Sequence, residues 1–150
     1  MITFRVDGIP KAQPRAKARR MGNRAGVYDP GTAEGWKALV AAAAMPHRPA
    51  VPLEGPLFVE IDFYMPRPKS LMRAKDPEGP IRCWKKPDVD NLIKAVFDSL
   101  KNLGVFRDDG QISESIGRKF YPAKTGRPGA KISIKAIDNQ ETLYGNTTQR

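Results

Sequence analysis

A single α/β domain, in which a small mixed β-sheet is packed by two main helices, is what this sequence predicts. Three observations carry that expectation. Strict alternation in "PLFVEIDFYMP" marks a half-buried strand. The stripe Leu92, Val96, Leu100 and Leu103, widened by Ile93 and Phe97, marks an amphipathic helix. The patterned segments follow the order strand, helix, strand, helix, strand, strand within 150 residues, a length that suits one core. Pattern alone leaves parallel or antiparallel pairing open. The domain is expected over residues 1–138, followed by a polar tail over 139–150.

The elements follow in order. In "ITFRVDG", Ile2, Phe4 and Val6 alternate with Thr3, Arg5 and Asp7, and Gly8 and Pro10 end the strand. Residues 10–28, rich in proline and glycine, read as a loop with a short strand near Val27–Tyr28. Asp29, Pro30 and Thr32 are helix start signals, with Trp36, Leu39, Val40 and Ala43 on one face and Pro46 as the stop. In the best strand, Leu57, Val59, Ile61, Phe63 and Met65 face inward, and Phe58, Glu60, Asp62 and Tyr64 face outward. Residues 66–87 hold five prolines and seven Lys/Arg, and a structureless connection of that length is usually functional or disordered. The second helix runs from about Asn91 to Leu103, with Gly104 suited to the position just past its end. "QISESIGRKFY" and "AKISIKAID" are two late strands, joined by the basic link "PAKTGRPGA".

The formal net charge is +10, and it is unevenly placed. Residues 1–50 hold nine Lys/Arg against three Asp/Glu, and residues 101–150 hold nine against five, while the middle third balances at eight each. Such an excess fits a polyanion partner, because neutralised phosphates release counterions. Solubility alone needs less charge. No run approaches the ~20 apolar residues that cross a membrane, and "MITFRVDG" lacks the apolar stretch of a signal peptide. The single cysteine, Cys83, has no internal disulfide partner and reads as a small side chain; no Cys/His spacing suits zinc. A cytoplasmic protein is expected.

Against that basic background, four aspartates bracket the second helix. Asp88 and Asp90 stand at its start, Asp108 and Asp109 just past its end, and Lys94 lies one turn beyond Asp90. Taken singly, Asp90 reads as a cap, Asp98 as a surface charge and "DDG" as a turn. Taken together, convergent carboxylates stay ionised only beside something positive, and their oxygens suit Mg²⁺. Convergence requires the chain to fold back after Gly104. A calcium loop fails, because Leu92 and Ile93 stand where an oxygen ligand and a glycine are needed. A nucleophilic aspartate should follow a buried strand, whereas "CWKKP" precedes "DVD". The only histidine, His47, reads as a surface residue, so no serine or cysteine nucleophile has a base. No glycine-rich phosphate cradle precedes a helix. Catalysis, if present, should be metal-assisted attack by water.

"KKPDVDNLIKAVFDSL" with "GVFRDDGQI" resembles the RusA family of Holliday junction resolvases, common in prophages. The family pattern P-D-[apolar]-D-N-L-x-K-A-x-x-D-[AS]-L, then D-D-x-Q-[IV], is matched at Pro87, Asp88, Asp90, Asn91, Leu92, Lys94, Ala95, Asp98, Leu100, Asp108, Asp109, Gln111 and Ile112. The strong motif covers about 28 residues and is specific in the sense that a lone D-x-D is not. "PKAQPRAKARR" is like the basic segment of many members. The resemblance implies a homodimeric, Mg²⁺-dependent endonuclease, with Mn²⁺ able to substitute, that nicks four-way junction DNA and leaves 5′-phosphate and 3′-hydroxyl ends. It needs no small-molecule cofactor and no membrane. Asp88, Asp90 and Asp109 correspond to the essential carboxylates and metal ligands, and Lys94 to the essential lysine. Asn91, Asp108 and Gln111 are secondary. Lys11, Arg15, Lys17, Arg19, Arg20, Arg67, Lys69, Lys85 and Lys86 are the candidate DNA contacts, although residues 66–87 are longer than in the shortest members. A non-catalytic junction-binding module and a metal-dependent nuclease for other branched nucleic acids are the alternatives.

Overall fold

The computed structural model describes residues 1–14, 17–21, 24–28 and 32–140, and the side chains of 17–21 and 24–28 lie outside that description. Among the described residues, seven strands and two α-helices follow in the order β1 (Ile2–Asp7), β2 (Lys17–Met21), β3 (Arg24–Tyr28), α1 (Glu34–Ala44), β4 (Leu57–Tyr64), β5 (Ile81–Arg82), α2 (Val89–Leu103), β6 (Ile112–Tyr121) and β7 (Gly129–Ala136). Five strands form one sheet in the order β1-β7-β4-β6-β5, and β2 and β3 form a separate antiparallel ribbon. The sheet is mixed: β4 runs parallel to β6 and antiparallel to β7. The parallel pair needs a crossover, which α2 supplies.

One face of the sheet carries the core. Phe4 and Val6 of β1, Leu57, Val59, Ile61 and Phe63 of β4, and Ala130, Ile132 and Ile134 of β7 are buried in the same cluster as residues of both helices. The alternation expected for β4 is what the strand shows, and Phe58, Glu60, Asp62 and Tyr64 lie half-buried on the opposite face. There, Arg118 Nη1 bonds both Glu60 Oε2 (2.6 Å) and Asp62 Oδ1 (2.8 Å), and Tyr64 stacks on Phe120. Helix α1 buries Trp36, Val40 and Ala44, spaced i, i+4, i+8, while Leu39 is 45% exposed. The predicted face is thus rotated. A helix packed along one ridge needs only the i, i+4 row. Pro46 ends α1 as expected, inside a short 3-10 turn over Met45–His47. Exposed His47 stacks on Phe4 with ring centroids 5.7 Å apart.

Two expectations are corrected. Residues 10–28 are not only loop, since they contain β2 and β3, with the strand expected near Val27–Tyr28 forming the end of β3. A two-stranded ribbon is made by backbone pairing, and its sequence lacks the apolar alternation that would announce it. Residues 66–87 are not structureless either. Arg67 holds them: its Nε donates to Leu71 O, Nη1 to Gly79 O and Pro122 O, and Nη2 to Pro77 O, at 2.7–3.2 Å. Prolines carry no N–H, so a proline-rich segment leaves carbonyls that its own backbone cannot satisfy, and the five-donor guanidinium does so instead. Arg67 is therefore a structural post whose four bonds to carbonyls occupy four of the five guanidinium donors.

Gly117 of β6 sets how closely α2 lies on the sheet. A Cβ there would stand 2.5 Å from Ile93 Cδ1 and 3.1 Å from Val89 Cγ2, in the first turns of α2. Gly117→Val is expected to lower unfolding stability by about 1–3 kcal/mol through overpacking. Urea denaturation reads this, and an unchanged midpoint would show that α2 tolerates the shift.

Candidate active site

Helix α2 begins where Pro87 ends the preceding strap. Asp88 is extended (φ −69°, ψ 142°) and occupies the N-cap position, with Asp90 inside the first turn. The helix therefore starts two residues earlier than expected, and Asp88 replaces Asp90 as the cap residue. Proline just ahead of the first turn is the physical reason: it disfavours helical geometry only at the residue before it, Lys86, so the turn can start at once. Asp88 makes no side-chain capping bond. Both carboxylates are exposed at the positive end of the helix dipole, which favours their charge. Asp90 Oδ1 accepts from Asn91 N at 2.9 Å. Leu92, Ala95, Val96, Ser99 and Leu100 are buried beneath, and Ser99 Oγ donates to Lys37 O of α1 at 2.7 Å.

Gly104 (φ 87°) closes the helix in the left-handed region and turns the chain back. Val105 and Phe106 then enter the core, and Leu53 N bonds Val105 O at 2.8 Å. Gln111 pins the turn that follows. Its Oε1 accepts from Arg107 N (2.8 Å) and Asp108 N (3.1 Å), and its Nε2 donates to Leu53 O (2.9 Å) and Gly55 O (3.1 Å). The turn so held brings Asp109 Oδ2 to 2.9 Å from Lys94 Nζ, which also pairs with Asp98 Oδ1 at 3.1 Å. Asp98 in turn faces Lys37 of α1 at 3.8 Å. The fold-back after Gly104 thus places the second aspartate pair beside α2, one turn along from Asp90.

The hydrogen bonds that Lys94 donates, to Asp109 first and then to Asp98, raise its pKa above the ordinary 10.5. A raised folded-state value stabilises the fold fully below pH 10.5, and that contribution disappears only as pH rises through the higher folded value. Lys94 is therefore a fixed cation across the neutral range.

The other oxygen of Asp109 decides how well a cation suits the site. Asp109 Oδ1 is buried and has no hydrogen-bond partner. A buried carboxylate oxygen without a donor is costly unless a cation or donor reaches it, and a hard divalent ion takes oxygen ligands of this kind. Among the described residues, no three His, Cys, Asp or Glu side chains stand together at metal-holding spacing. Asp109 is held by Lys94 instead, and like charge opposes closer approach of the carboxylates.

Residues 7–135 match the family model described as endodeoxyribonuclease RusA. The chain belongs to the RusA endodeoxyribonuclease family. It is also similar to a Bacillus subtilis (strain 168) protein named "Uncharacterized protein YqaN", 33% identical over 141 residues that cover 91% of this chain and 96% of the relative. The match to the RusA model takes in both helices and all five sheet strands in whole or in part, together with every aspartate of the motif.

The candidate DNA contacts of this RusA member fall in three places. Lys11 is exposed, in a segment tied to the start of α2 by Gln13 N bonding Asn91 O at 2.9 Å. Lys69, Lys85 and Lys86 are exposed, with Lys85 and Lys86 immediately before Asp88. Arg15 and the side chains of Lys17, Arg19 and Arg20 lie outside the described residues. Sequence reasoning missed three contributors: Asp98 as the second partner of Lys94, Gly117 under the helix, and Lys119, whose Nζ donates to Lys85 O and Pro87 O. Asp98 had a signal, its i+4 spacing from Lys94. Lys119 had none, because it reaches the strap from another strand.

Proposed function

We propose that this RusA member is a Mg²⁺-dependent endodeoxyribonuclease that resolves four-way DNA junctions by paired symmetric nicks, acting as a homodimer in recombination and repair. The observation that carries the reading is the Lys94–Asp109 contact, which sets the Asp-Asp turn against the helix that begins with Asp88 and Asp90. Asp88, Asp90 and Asp109 are the residues that would hold the cation, with the unpartnered Asp109 Oδ1 as one donor. Bound there, Mg²⁺ (or Mn²⁺) supplies neutralisation of carboxylates and phosphate and activation of water. Lys94, charged at neutral pH, stabilises charge developing on the phosphoryl oxygens. Lys11, Lys85 and Lys86 flank the site and position the backbone without reading sequence. A two-fold dimer presents two identical sites to two symmetric strands.

The test uses the purified protein with a synthetic four-way junction and with linear duplex of the same arm sequence. With Mg²⁺ or Mn²⁺, paired nicks are expected in the junction and none in the duplex, and EDTA is expected to abolish them. Tight binding without nicking in either metal would replace this reading with a non-catalytic junction-binding module. Equal cutting of flaps or forks would replace it with a nuclease of broader substrate.

A further inference from the structure

Trp84 lies four residues ahead of Asp88 and is 80% exposed. Among the described residues it is the only aromatic in the set of exposed large apolar side chains; the others are aliphatic or methionine. Singly exposed apolar side chains are ordinary; what distinguishes Trp84 is the backbone that holds it and the charge around it. It does not ride on a loose loop. Cys83, just before it, is buried, and Cys83 N bonds Lys119 O at 3.1 Å. Just after it, Lys119 Nζ holds the carbonyls of Lys85 and Pro87. The strap is thus fixed on both sides of the indole, which points outward from a pinned backbone.

The surroundings indicate the chemistry of its partner. Lys85 Nζ sits 4.4 Å from the indole centroid, a cation–π contact. Arg82, Lys85 and Lys86, its neighbours along the chain, are all exposed. This is an aromatic plane set among cations, not a contiguous apolar patch of the kind that docks a protein. Aromatic planes within positive charge stack on unpaired nucleobases while the cations follow the backbone. Inside a linear duplex both faces of each base are covered by its neighbours. At a branch point, where continuous stacking is interrupted, a base face becomes available.

We propose that Trp84 stacks on an exposed nucleobase at the branch of the DNA, setting the adjacent strand's phosphate over the start of α2, and so contributes to the choice of branched over linear DNA. The proposal rests on the junction-DNA reading above, and its test separates the two. The native protein carries one further tryptophan, Trp36, which is 3% exposed, so neutral acrylamide quenching reports Trp84 alone. With EDTA present to prevent cutting, a saturating four-way junction is expected to shield Trp84 from acrylamide, and saturating linear duplex is not. Trp84→Ala is expected to weaken junction binding about 5- to 150-fold, to leave duplex binding unchanged, and to keep the far-ultraviolet circular dichroism. Trp84→Phe should restore most of the loss.

Equal shielding by junction and duplex, or equal loss of both affinities in Trp84→Ala, would overturn the stacking role. Shielding that grows with protein concentration in the absence of DNA would also overturn it, by showing that a second copy covers the indole. If neither DNA were bound at all, the junction-DNA reading would fall first and this one with it.

Discussion

Asp90→Asn is expected to lower junction nicking by at least about 10²–10³-fold, the scale of losing one preorganised charged group at a reacting phosphate. Junction binding should be kept or strengthened. The amide has the shape of the carboxylate but cannot neutralise a cation, and its removal of one negative charge lessens repulsion of the incoming phosphate. The fold should survive, because Asp90 is exposed and its carboxylate accepts only from the neighbouring Asn91 amide among the described residues. The favourable interaction with the helix start is worth only about 0.3–1 kcal/mol. Single-turnover nicking beside a gel-shift titration separates the two effects. Undiminished nicking would remove Asp90 from the site, while equal loss of binding and nicking would make it a docking residue.

Phe106→Ala is expected to lower unfolding stability by about 3–5 kcal/mol, measured by urea denaturation. Phe106 is 1% exposed and among the largest fully buried side chains. It is also bridged to Leu53, in the strand-like segment that Gln111 bonds. Truncation would leave a cavity between the end of α2 and the turn that carries Asp109. That loss is a sizeable share of what a domain of this size has in total, roughly 5–15 kcal/mol. A change under about 1 kcal/mol would mean that the turn can collapse onto the space, and that Gln111 alone fixes Asp109.

The three motif carboxylates and Lys94 were legible as a group because they are crowded into one helix and its borders. What spacing could not supply was their arrangement. Asp109 reaches Lys94 only because Val105 and Phe106 enter the core and Gln111 clamps the returning chain to Leu53 and Gly55. Arg67 was read as a phosphate contact from its charge. Charge alone did not show the carbonyls it holds, at 71, 77, 79 and 122, three of them ten or more residues away. Leu39 was read into the core from its helical face. It stays exposed because α1 packs along the single row Trp36, Val40 and Ala44.

Local chemistry alone determined β4, α2 and the stop at Gly104, since alternation, an i, i+4 stripe and a residue tolerant of positive φ act within a few neighbours along the chain. It also determined that carboxylates and a lysine would be concentrated at the borders and on the polar face of one helix in a basic protein. Only the folded molecule decided that β4 pairs parallel with β6 across α2, that the first turns of α2 lie close over Gly117, and that Lys94 rather than a third carboxylate meets Asp109. Those outcomes depend on which distant surfaces are buried together, and burial is a property of the whole chain, not of any window within it.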